Sequence, residues 1–184
     1  AEAVVNPNQL GCEFPSKALA GVGVAFYLLA RLSSYRSQLG KSTSKVAQYL
    51  DLVALGTYAD VASLDYNNRI LVDAGVKRIQ QNQCRAGISA LLDIAGRDPA
   101  QLKAQDLGFV LGPRVNAAGR METMDIGIEC LLAQDMQTAY PLAQQLNDFN
   151  IERRQVELQM KQQALVELEK LQLDQQHLPA TLVM

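Results

Sequence analysis

Apolar positions along this chain step mostly by threes and fours. Leu19, Val22, Phe26 and Leu29 fall on one helical face, which predicts a helix from Ser16, with that serine as N-cap. Residues 1–15 are broken at Asn6-Pro7 and Phe14-Pro15 and read as a loop. Gly21 and Gly23 weaken the helix but keep it thin enough to approach a sheet closely. Residues 33–44 are polar and read as a surface loop, followed by a short helix over about 43–50. A polar turn at Asp65-Tyr66-Asn67-Asn68-Arg69 precedes a helix over about 69–80, with Ile70, Val76 and Ile79 on its apolar side. Further helices are predicted over 87–95, ended by Gly96, and over 125–133. Asp98-Pro99 has the form of a helix start, a cap followed by proline in the first turn.

The longest periodic run begins near Met136. Leu142, Leu146, Phe149, Arg153, Val156, Met160, Ala164, Leu168 and Leu171 form one seam over some thirty residues, about 45 Å of helix at 1.5 Å per residue. The other faces are Gln, Glu, Lys and Arg. One apolar seam on a solvated helix suits a coiled coil or a connector between domains.

The stretch from Leu50 to Leu64 breaks this rhythm. Leu52 to Leu55 is continuously apolar, ends at Gly56-Thr57, and is followed by Asp60. It reads as a buried strand over 53–55 that turns at Gly56. Asp60 would then project at the carboxyl end of the strand, where α/β sheets gather ligands. A carboxylate there suits a hard cation such as Mg²⁺ or Mn²⁺. From these residues alone, a capping role for Asp60 is preferred.

Composition bounds the possibilities. At 184 residues and 48% apolar, the chain has the size of one domain or part of a larger protein. It lacks a signal-like start and any run approaching a membrane span. Its first residue is not methionine, and residues 178–184 read as a strand beginning, so an internal fragment is expected. Cys12, Cys84 and Cys130 lack metal-ligand spacing and read as reduced thiols of a cytoplasmic protein. His177 is the single histidine, expected near a solvated helix end, which excludes a histidine cluster or a serine–histidine triad. Residues 61–120 carry eight Lys/Arg against five Asp/Glu, and residues 121–184 carry four against ten. The middle of the chain is therefore the side to meet a polyanion.

That middle contains Gly112-Pro113-Arg114-Val115-Asn116-Ala117-Ala118-Gly119-Arg120, too broken at its start to predict a helix. Ala117-Ala118-Gly119 permits close backbone approach to a ligand or a neighbouring element. Arg114, Asn116 and Arg120 can converge on a phosphate, where arginine makes paired charge-assisted hydrogen bonds. The competing arrangement pairs these arginines with Glu122 and Asp125, and the residues alone leave the choice open.

Together with Ala54-Leu55-Gly56-Thr57-Tyr58-Ala59-Asp60-Val61, this segment closely resembles the RecJ-type exonucleases of the DHH phosphoesterase superfamily. Asn6-Pro7-Asn8 and residues 19–26 agree in the same order. The resemblance implies an α/β fold: the C-terminal part of a DHH domain with a parallel sheet (1–135), a long connecting helix (136–175), and the start of a DHHA1-type domain (176–184). It implies hydrolysis of single-stranded DNA from the five-prime end in repair and recombination, with two Mn²⁺ or Mg²⁺ ions. Asp60 would be the catalytic metal ligand, with Arg114, Asn116 and Arg120 holding DNA phosphates. Single-stranded DNA and other DNA-repair proteins are the implied partners, with no membrane. The other metal-ligand motifs of the family are missing from this sequence, so no activity is expected of the chain alone. Ala62-Ser63 and Met121-Glu122-Thr123 depart from the family pattern, and neither removes a proposed ligand. Two alternatives stand beside this: a phosphodiesterase of short oligonucleotides or cyclic dinucleotides, and a non-enzymatic helical module using the 136–172 helix.

Overall fold

A computed structural model of the chain describes residues 3–121 and 123–170. Expectations for Glu122, Leu171, His177 and the domain start at 176–184 lie outside these residues. The order is α1 (Gly21–Gln38), a 3₁₀ turn (Val46–Tyr49), α2 (Leu50–Ala59), α3 (Tyr66–Gln80), α4 (Ala86–Ile94), a 3₁₀ turn (Pro99–Gln101), α5 (Ala104–Asp106), a π turn (Leu107–Leu111), α6 (Gly112–Met121), α7 (Asp125–Leu132) and α8 (Met136–Lys170).

The predicted strand is helical. Residues 52–55 lie inside α2, and among the described residues there is no strand, so the parallel sheet is not seen in this part of the chain. The apolar run marked burial and left the backbone state open, because a buried strand and a buried helix look alike over four residues. Gly56 does not turn the chain: a Cβ there would sit 2.7 Å from Val22 Cγ1, so glycine lets α1 and α2 touch. Gly75 has the same role where α3 crosses α2, with Leu50 and Ala54 directly against it.

Ser16 is not a helix cap. It is buried, its hydroxyl donates to Asp65 Oδ2 at 2.6 Å, and α1 starts five residues later without a side-chain cap. Asp65 is itself the N-cap of α3, its Oδ1 accepting from Asn68 N–H at 2.8 Å. Both hydrogen bonds, the backbone one foremost, hold its carboxyl below the usual range. α1 runs through Gln38, which confines the expected polar loop to its second half. The helices over 66–80, 86–94 and 125–132 and the Asp98 cap match the sequence expectation to within a few residues.

The core gathers Leu55, Val76, Ile79, Ile88, Leu91, Leu107, Leu111 and Leu146 from α2, α3, α4, the π turn and α8. Asp51 is fully buried among them. It accepts from Arg85 N–H at 2.9 Å and pairs with the Arg85 guanidinium at 3.3 Å. The three cysteines are free, and burial pushes the Cys130 thiol up to about 11, leaving it unreactive near neutral pH.

Candidate nucleic-acid interface

α2 ends on a C-terminal turn of the Schellman type. Ala62 N–H donates to Thr57 O at 3.1 Å and Val61 N–H to Tyr58 O at 3.2 Å. The closing residue, Val61, has φ 52°, a left-handed conformation that suits glycine far better than a β-branched residue. Asp60 is the last residue before this turn. It is exposed, and its carboxylate has no hydrogen bond or ion pair among the described residues.

The second motif packs against this same helix end. A Cβ on Gly108 would lie 3.2 Å from the Tyr58 ring and 3.4 Å from Tyr58 O. One on Gly112 would lie 3.4 Å from Ala59 Cβ. The two motifs thus meet in space, backbone against backbone. Between the glycines the chain makes a π turn, with five residues per hydrogen-bonded step, and continues directly into α6. The expected break at Gly112-Pro113 is therefore absent, since proline is tolerated in a first helical turn. π turns inside helices are frequent at functional sites.

α6 presents its residues in two directions. Arg114 is half-buried toward α8, where Nε donates to Asn147 Oδ1 at 3.1 Å and Nη1 to Val110 O at 2.7 Å. Burial lowers its pKa from the ordinary arginine value, and the nearby charges of Arg154 and Arg97 push the same way. Only two of its five N–H groups are used, so donors remain for an anion. Asn116 and Arg120 are exposed on the adjacent face, and neither side chain has a partner among the described residues. They line a pocket of about 210 Å³ with Pro113, Ala117, Gly108 and Arg153. Ala117 and Ala118 are fully buried against neighbouring helices, so the small residues there serve packing. Sequence periodicity puts Arg153 in the apolar seam, and its charge within that seam is the one signal that it faces a polar site.

Among the described residues, no three His, Cys, Asp or Glu side chains converge to hold a metal. Asp60 is free to ligate a cation, but one carboxylate falls well short of the about six ligands that Mg²⁺ takes. No described helix is long and apolar enough to cross a membrane.

No protein-family model matches the chain. The single-stranded-DNA-specific exonuclease RecJ of Salmonella typhimurium is 50% identical over 190 residues, covering all of this chain and 33% of that protein. A solved structure of exonuclease RecJ bound to manganese superposes with a TM-score of 0.72 at 33% identity, over 86% of this chain and 38% of that one. The chain belongs with the RecJ sequences. A RecJ structure from Thermus thermophilus in complex with Mg²⁺ gives a TM-score of 0.69 at 33% identity, over 82% of this chain and 23% of that one. The chain spans about a third of the length of the curated RecJ relatives it matches.

Proposed function

We propose that this chain is the part of a RecJ-type, single-stranded-DNA-specific exonuclease that supplies one metal ligand and the phosphate-holding arginines. The observation that carries this is the junction of the two motifs. The end of α2 bearing Asp60 lies directly against the π turn and α6, which bear Arg114, Asn116 and Arg120. A strand lying along α6 would meet guanidinium groups at successive phosphates, giving sequence-independent and salt-sensitive binding.

Asp60 is one ligand of a Mn²⁺ or Mg²⁺ centre whose other ligands lie outside the described residues. When bound, the ions would supply a more acidic water and charge stabilisation for the departing oxygen. The protein's own contribution here is positional: Arg114 is braced by Asn147 and Val110, and Arg120 is left open to bind. Residues 1–135 would close a DHH-type domain, and α8 would connect it to a second domain. The setting is cytoplasmic DNA repair and recombination, with cleavage from the five-prime end.

The test is exonuclease activity of the full-length protein carrying this chain, on single-stranded DNA with Mn²⁺, wild type against Asp60→Ala. Loss of activity by about a hundredfold or more in a folded variant is expected, since mutating even the hydrogen-bond partners of metal ligands typically costs about 10–100-fold. Full activity in the variant removes Asp60 from the site. A wild type inert on DNA but active on short oligonucleotides transfers the proposal to the phosphodiesterase reading.

A further inference from the structure

We infer that Arg153 of α8 is a fourth phosphate-binding residue, completing with Asn116 and Arg120 an anion site across the groove between α6 and α8. The inference rests on the nucleic-acid reading above and extends it to a second helix. Arg114 meets Asn147, and Arg120 shares a pocket with Arg153, six residues further along in each helix. α6 and the first part of α8 therefore run side by side in register. That register places one cation from each helix at the mouth of the same 210 Å³ pocket.

The Arg153 guanidinium is held there from its own helix. Its Nη2 donates to Asn150 Oδ1 at 3.2 Å, and Asn150 is itself 1% exposed and fixed in the core. Its Nη1 pairs with Glu157, a largely exposed carboxylate one turn on. Only the Glu157 side of this pair is open to solvent, Arg153 being 20% exposed, and a helical pair at i,i+4 contributes little, so a phosphate can take the place of Glu157. Arg120 has no competing carboxylate among the described residues. The pocket thus offers two guanidinium groups and the Asn116 amide, with one exchangeable carboxylate as the resident anion.

The full-length protein carrying this chain would be titrated with single-stranded oligo-dT, a probe of phosphate-backbone binding, over a range of salt. Each lost phosphate contact to a single strand lowers the slope of log K against log salt by about 0.7. Arg153→Gln is expected to lower the slope by about that amount, with Arg153→Lys retaining it. Arg120→Gln is measured in parallel. A slope that falls for Arg120→Gln and holds for Arg153→Gln overturns the inference while the nucleic-acid reading stands. Slopes unmoved in both overturn the two together. Should Arg153→Gln fold poorly, Glu157→Gln decides: freeing Arg153 must tighten binding more than Glu152→Gln, an exposed carboxylate on the same helix, and equal effects overturn the inference.

Discussion

Val61 carries the clearest residue-scale strain. It holds a left-handed turn while 88% exposed, so almost no packing offsets the conformation. The equivalent closing positions after α1 and α4 are Gly40 and Gly96, and after α3 it is Asn82, all residues suited to φ near 60°. Val61→Gly is expected to stabilise the chain by about 1 kcal/mol in urea unfolding, the left-handed penalty less the glycine entropy. A loss of stability would show that the side chain has a partner. Asp65 gives a prediction with a pH signature. Its carboxyl is lowered in the folded state by Asn68 N–H first and the Ser16 hydroxyl second. Its ionised form therefore adds stability that is fully present above its ordinary pKa of 3.8 and lost as pH falls through the lower folded value. Asp65→Ala should cost about 1 kcal/mol at neutral pH, a usual figure for a lost cap. The gap between wild type and variant should narrow as the pH drops below 3.8. A gap that stays constant down to about pH 2 would sink this account.

At the scale of elements, the tight α2–α3 crossing depends on Gly75. A Cβ there would be driven into Leu50 O and would lie 2.5 Å from Ala54 Cβ. These are backbone and core neighbours, with no flexible side chain to yield. Gly75→Ala is expected to destabilise by about 3 kcal/mol, the upper end of ordinary overpacking, despite the gain in helix propensity. A neutral or stabilising result in thermal unfolding would mean the helices can separate. The same crossing explains what sequence could and could not convey. The α3, α7 and α8 patterns were legible because their apolar residues recur at helical spacing and a cap or break flanks them. α2 was not, because it is buried on nearly every side and loses the polar half of the pattern. Gly56 and Gly112 looked like breaks, whereas each serves contact with another helix. Asp60, Arg114, Asn116 and Arg120 were reached through a family resemblance. Arg153 was missed because pairing α8 with α6 is a tertiary fact, and periodicity could only place that residue on the inward seam.

Across the whole molecule, α8 has two halves with different physics. Ala139, Ala143 and Leu146 are fully buried and Asn150 nearly so, pressed by α4, α6 and α7. Beyond Arg153 the seam emerges: Val156 is 42% and Met160 63% exposed, and Leu158, Leu165 and Val166 are exposed too. An isolated helix of this remaining length is marginal in water, so the outer half holds its shape mainly as a continuation of the inner half. Amide hydrogen exchange should separate them. Protons of 139–150 are expected to exchange only through global unfolding, and those of 156–168 through local opening of roughly 1 kcal/mol or less. Leu146→Ala sharpens the contrast. It should remove about 2–5 kcal/mol from the inner half and leave exchange in the outer half unchanged, because the outer half opens without touching the core. Uniform strong protection along the whole of α8 would contradict this division and show its outer seam covered. Dependence of that protection on protein concentration would then identify a second copy of the chain as the cover.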